Sequence, residues 1–242
     1  MRNAIRSSWL LMMGALLCLA PGLLAQVNMQ INNPPSNNVL DGIYVGSYSA
    51  TNTDTGAQIQ ITCDDFKDNS DYNKTTYNSS AFGNFSNTLW GSLVGAATLY
   101  KEAAWLTLGM LNQSGLAQGY SSYAIWAVFD ATDVLNWLKQ YNDTAACNAV
   151  FGAGNNCSST QVTSGGLLSN AQQNYINGNY SNFLIFTPQG CKGAGSCAEQ
   201  EFLELMPVPE GGSALLYLLL AGISCFGAMF YARRRRAEAG MA

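Results

Sequence analysis

Histidine is absent from all 242 residues. Without imidazole, the Ser-His-Asp and Cys-His routes to an activated nucleophile and histidine-ligated zinc are excluded. Charge is scarce too. Asp, Glu, Lys and Arg make up 11% of the chain, and 11 basic against 15 acidic residues leave a net charge of −4. No basic patch exists to displace counterions, so no nucleic acid partner is expected. The 24 glycines include neither Walker spacing nor a Gly-x-Gly-x-x-Gly run, which removes a phosphate loop. The cysteines never fall as Cys-x-x-Cys, the spacing that would suggest zinc. The expectation is a non-enzymatic protein with no catalytic residue set, no metal and no cofactor.

What is present is clearest at the two ends. Arg2 and Arg6 precede an apolar run from Trp9 to Leu19. A basic start, a short apolar core and a small-residue exit describe a secretory signal peptide over 1–25, cleaved after Ala25. At the far end, Ala214 to Ala232 is uncharged and apolar. At about 1.5 Å per helical residue, this stretch can cross a hydrocarbon core as a single transmembrane helix. Arg233, Arg234, Arg235 and Arg236 follow at once and are expected to stay cytoplasmic. The chain is therefore expected to be exported, with residues 26–206 outside the membrane as one domain.

Val208, Pro209 and Glu210, then the span, then the Arg cluster resemble the PEP-CTERM sorting signal of bacterial surface and exopolysaccharide-associated proteins, over residues 207–236. Gly211 stands where that family usually has a second proline. The resemblance implies recognition by an exosortase-type membrane transpeptidase, anchoring in the envelope before processing, and release or surface display afterwards. It also implies a role in adhesion or in a biofilm and exopolysaccharide matrix. Such tails also go under an ice-binding-protein C-terminal label, which carries no implication about ice.

Five cysteines fall between the ends: Cys63, Cys147, Cys157, Cys191 and Cys197. In an oxidising location disulfides are expected, and local pairing of Cys147 with Cys157 and of Cys191 with Cys197 is the simplest connectivity. Cys63 is then left as a single thiol.

Between the ends the pattern is mixed. Gln26 to Val39 reads as an extended polar lead-in. "GIYVGSYSA" and "AQIQITCDDF" read as a hairpin across "TNTDTG". Lys67 to Asn87, rich in Asp, Asn, Ser and Thr, reads as a surface loop. Asp64, Asp65, Asp68 and Asp71 lack the EF-hand order, and plain solvation is preferred over calcium. From Leu89 the spacing turns helical. Leu93, Ala97, Tyr100, Ala104, Leu108 and Leu111 form one stripe, with Lys101 and Glu102 outside it. "SSYAIWAVF", capped at Ser121 or Ser122, and "TDVLNWLKQY", capped at Thr132, read as two further helices. "SNAQQNYING" reads as a helix stopped at Gly178. "NFLIFT" and "QEFLELM" read as strands framing the Cys191–Cys197 turn. The expected fold is α+β, a disulfide-containing domain with flanking β-hairpins sharing one sheet and a helical middle.

"TCDDF" at Cys63 together with "YKEAAWL" and "YAIWAVFD" resembles PEP-CTERM ectodomains and, more distantly, the thioester domains of bacterial adhesins. In those domains a strand cysteine joins a glutamine four residues before a motif tryptophan and captures amines. Cys63 matches the cysteine and Trp126 the tryptophan. Ser122 holds the glutamine position, and Gln118 lies one helical turn earlier. Two alternatives follow, a covalent adhesin acting through Cys63 and a polysaccharide-acting enzyme using two of Asp64, Asp65, Glu102 and Asp130.

Overall fold

The computed structural model describes residues 25–33, 38–68, 72–191, 197, 199–206 and 224. The signal-peptide reading of 1–24 lies outside the described residues. So do Asp71, the sorting residues Val208, Pro209, Glu210 and Arg233 to Arg236, and all of the apolar stretch 214–232 except Ser224. Among the described residues no helix is long and apolar enough to cross a membrane. The chain divides at Met206 and Pro207 into two units.

The first unit is α+β. Its strands are β1 (Ala25–Asn33), β2 (Val39–Leu40), β3 (Ile43–Tyr44), β4 (Ser47–Asn52), β5 (Gln58–Cys63), β6 (Lys74–Ala81), β7 (Phe183–Pro188) and β8 (Phe202–Leu205). Its helices are α1 (Ala96–Met110), α2 (Gly115–Tyr141), α3 (Thr144–Phe151) and α4 (Leu167–Asn174). Six strands close into an antiparallel barrel in the order β1-β4-β5-β8-β7-β6, while β2 and β3 pair separately. The two expected hairpins are present as β4–β5 and β7–β8. They pair with each other through β5 and β8 within the barrel.

Two expected loops are strands instead. Val27, Met29 and Ile31 alternate with Asn28, Gln30 and Asn32, which is the period of a half-buried strand, and β1 pairs with both β4 and β6. Met29 and Ile31 point into the barrel and are buried. The Ser/Thr/Asn-rich segment 74–81 forms β6, anchored inward by the buried Tyr77. Tyr48 and Tyr77 both pack edge-on against Phe202, at 5.9 and 6.0 Å, and fill the interior.

The outer surface of the barrel has two characters. On β1, β4 and β5 it is polar: Asn32 donates to Gln58, Gln58 to Thr51, Thr51 back to Asn32, and Gln60 to Ser47. On β6, β7 and β8 it is covered, with Ser80, Phe183, Ile185, Thr187 and Leu203 buried. The covering layer is helical. In α1, Tyr100 and Ala104 are buried as the stripe predicted, but Leu93 is 39% exposed, Ala97 is exposed and Glu102 is buried. The true buried face is turned toward Ala103, Leu106 and Met110.

The two helices expected between Ser121 and Tyr141 are present as the two halves of α2, which meet at a kink at Asp130, where φ is −142° and ψ is 72°. Ser121 and Ser122 lie inside the first half, not at a cap. The second half is capped by Asp130, whose carboxyl accepts from the Asp133 N–H at 3.1 Å, instead of by Thr132. Helix α3 occupies part of the Gly-rich Cys147–Cys157 segment and is capped by Asp143, which accepts from the Ala146 N–H. Helix α4 runs into a 3₁₀ turn, Tyr175–Asn177, and Gly178 ends it.

Candidate functional site

The segment "TCDDFKD" leaves the barrel at the end of β5 and carries most of the site. Cys63 is the last residue of β5, and the Asp64 N–H extends the pairing by donating to the Glu201 carbonyl at 3.3 Å. This continuation holds Asp64 and Asp65 at 0% exposure and Asp68 at 7%, so the expectation of solvated aspartates is corrected. Among the described residues no group of three metal-binding side chains is gathered to hold an ion.

Glu201, just before β8, is the centre of a buried acid cluster. Its carboxylate accepts from the Leu89 N–H at 2.7 Å, from the Tyr100 hydroxyl at 2.5 Å and from the Thr187 hydroxyl. Tyr100 in turn accepts from the Trp90 N–H at 3.2 Å. Asp64 faces Glu201 without an N–H or O–H donor of its own among the described residues. Burial first, then the neighbouring Glu201 and Asp65, push Asp64 well above the usual carboxylate range. Burial also raises Glu201, but the hydrogen bonds from Thr187, Tyr100, Leu89 and Asp64 oppose it. Burial beside Glu201 therefore favours the protonated form of Asp64. Asp65 is pushed up to about 8, by burial first and then by its hydrogen bond with Asp68.

Cys63 is a free, buried thiol that donates to the Asp65 carbonyl at 2.9 Å. Burial and the acids at 64 and 65 raise its pKa, which favours the thiol over the nucleophilic thiolate. The motif tryptophan meets the motif strand: Trp126 Nε1 donates to the Cys63 carbonyl at 3.0 Å. The glutamine position does not supply an acyl group. The Ser122 hydroxyl accepts from the Gly46 N–H at 2.7 Å, and the Gln118 carboxamide oxygen accepts from Asn38. Gly46 permits this approach. Its φ is +101°, and a Cβ there would meet the Gln118 carboxamide at 3.0 Å.

A cleft of about 310 Å³ opens beside Trp126. Its lining brings together Tyr44 of β3, Tyr48 of β4, Phe66 and Asp68 after β5, Tyr72 before β6, Trp126 of α2 and Gln200 before β8. Phe66 packs against Trp126 at 5.3 Å and against Trp137 at 5.8 Å, fixing the inner wall. Gln200 Nε2 donates to the Asp65 carbonyl at 2.9 Å and ties the cleft floor to the acid cluster.

The four carboxylates considered for catalysis are not brought together in this cleft. Asp64 and Asp65 point to the interior, Glu102 is buried on α1, and Asp130 is bound to Lys67 at 2.6 Å. Burial raises Glu102 to about 7. Among the described residues the lining contains one carboxylate, Asp68. Sequence reasoning did not single out Glu201, Tyr100, Thr187, Tyr44 or Tyr72. Glu201 had one signal: it sits in "QEFLELM", a strand with Phe202 and Leu203 on opposite faces, where an acid has little access to water.

The expected local disulfides form, Cys147 with Cys157 and Cys191 with Cys197, at Cα separations of 5.2 and 5.3 Å. The first pins α3 to its following turn. The second closes the connection between β7 and β8.

No protein-family model, curated protein or solved structure matches the chain.

Proposed function

We propose that this chain is an exported bacterial surface or extracellular-matrix protein whose α+β domain binds its target without covalent chemistry, in adhesion or in attachment to exopolysaccharide. The observation that carries the binding half is the aromatic-walled cleft beside Trp126, with a carboxylate and a carboxamide in its lining. Ligand sites commonly have this composition, apolar walls with a few convergent polar groups. The buried thiol at Cys63 and the engaged Gln118 favour non-covalent binding over a thioester. A single carboxylate among the described residues of the cleft favours binding over two-carboxylate hydrolysis.

The export half rests on the sequence ends. Residues 1–25 act as the signal peptide, and 207–236 as a PEP-CTERM-type sorting signal with a membrane span over 214–232. Its partner is an exosortase-type transpeptidase. Peptide mapping of the mature protein from its native envelope and medium tests this. A C-terminus between Pro209 and Gly212, lost on deletion of the transpeptidase, is the expected result. A chain that keeps Arg233 to Arg236 in every fraction would leave a plain anchor and remove the sorting reading.

A further inference from the structure

We propose that the cleft beside Trp126 is gated by a proton held between Asp65 and Asp68: its wall is ordered while the proton is present and loosens along residues 65–68 when the proton is lost. This rests on the binding reading for its purpose and adds the regulation of that site. Tyr44 and Tyr72 stand at the mouth, 45% and 39% exposed, and Phe66 and Trp126 form the inner wall. Three parts of the lining depend on Asp65. Phe66 follows it in sequence and packs against Trp126 at 5.3 Å and Trp137 at 5.8 Å. Gln200 Nε2 donates to the Asp65 carbonyl at 2.9 Å. Asp68 is hydrogen-bonded to the Asp65 side chain.

The proton follows from that pairing. Ionised carboxylates only accept, so a hydrogen bond between two of them needs one to be protonated. Asp65 is at 0% exposure and Asp68 at 7%, which leaves little water to take the proton's place. Among the described residues, the groups that face Asp65 are the Cys63 thiol at the end of β5, its neighbour Asp64, Asp68 in the following turn and Glu201 before β8. The Tyr100 hydroxyl of α1 is bound to Glu201. Lys67 meets Asp65 through its backbone N–H, 3.0 Å from Oδ1, while its ammonium pairs with Asp130 and Asp133 of α2 at 2.6 and 2.9 Å. An ionised Asp65 thus faces acids on both sides of the turn. Burial and the bond to Asp68 push Asp65 up to about 8, which places the loss of the proton in mildly alkaline solution. Two anions are then left in contact, and moving residues 65–68 toward solvent relieves them at the cost of lifting Phe66 from Trp126.

Hydrogen exchange followed by mass spectrometry on the detergent-solubilised full-length chain tests this without any ligand, so failure of the gate leaves the binding reading standing. After correction for the intrinsic pH dependence of exchange, protection of the peptide covering residues 65–68 is expected to fall by up to about tenfold per pH unit between about pH 5 and pH 8, then to level off, as the release of one proton on opening requires. The buried face of α1 is expected to remain at least about tenfold better protected throughout, the mark of local opening. Asp65→Asn has no proton to lose and carries an amide that can donate to Asp68, so it should flatten the profile. Asp68→Asn gives Asp65 a donor that does not titrate and should shrink the fall. Protection of residues 65–68 that stays constant or rises with pH would overturn the gate. So would protection no better in α1 than in this segment, which would mean global unfolding alone. A fall that survives both substitutions would assign the proton to another acid and equally overturn the proposal.

Discussion

Two groups of acids meet the short stretch Cys63 to Lys67 and have their charge compensated by opposite means. Asp130 and Asp133 sit at the surface and share the ammonium of Lys67, at 2.6 and 2.9 Å. Asp64, Asp65 and Glu201 sit in the interior at 0% exposure, where protons and hydrogen-bond donors replace a counterion. The surface group can exchange its partner for water with little loss. The interior group has no such exchange available, and its stability is tied to proton activity. One short stretch, Cys63 to Lys67, joins the two regimes, so a carboxylate's position in sequence says little about which of them governs it.

The sharpest way to break this contrast is to remove the acceptor at its centre. Glu201→Ala leaves the Leu89 N–H and the Tyr100 and Thr187 hydroxyls without their acceptor. The expected loss is about 3–5 kcal/mol in urea unfolding. Glu201→Gln keeps one acceptor oxygen and should lose clearly less; equal losses would mean that the hydrogen bonds are not what holds the cluster. Replacing both Cys147 and Cys157 with Ala is expected to cost about 2–3 kcal/mol, because the bridge closes a short loop and restrains α3.

Solution pH separates the two clusters without mutation. In the folded chain Asp64, Asp65 and Glu201 hold protons more tightly than unfolded carboxyls do, so the native state binds more protons. Their contribution is complete below the ordinary carboxylate range and is lost as pH rises toward the value of about 8 for Asp65. The unfolding midpoint should therefore fall from mildly acidic to mildly alkaline pH, and Asp65→Asn should flatten that fall. A midpoint that rises over the same interval would contradict protonated burial. The smallest effect belongs to the surface. Lys67→Met should change stability by less than about 1 kcal/mol, with added salt narrowing the difference further.

The parts of the fold set by neighbouring residues were legible. The β4–β5 turn, the β7–β8 pair and both disulfides depend on short loops and local spacing. The stop at Gly178 was visible in the same way. What was missed depends on distant partners. Strand β6 forms because β1 and β7 pair with it on either side, although Asn, Ser and Thr dominate its composition. The alternation of Val27, Met29 and Ile31 in β1 was present, but the polar residues between them masked it. The helix boundary near residue 130 was expected, but its cap was placed at Thr132; the capping carboxyl is that of Asp130, which also binds Lys67. For the site, "TCDDF" and Trp126 were recognisable and they do meet. Glu201 and the mouth tyrosines were not, because their significance arises only when β8 and the segment before β6 are brought to the end of β5.

The position of β8 also dictates the order in which the molecule can be assembled. Its four residues are the last of the barrel in sequence, yet they sit between β5 and β7. A chain emerging from its N-terminus can form the β4–β5 hairpin and the helices early. It cannot close the barrel, or give Tyr100 and Thr187 their shared acceptor, until residues 201–205 arrive. Long-range pairing of this kind makes folding slow relative to local structure formation. The barrel is thus held incomplete until β8 has been made. Closure comes as a single late event.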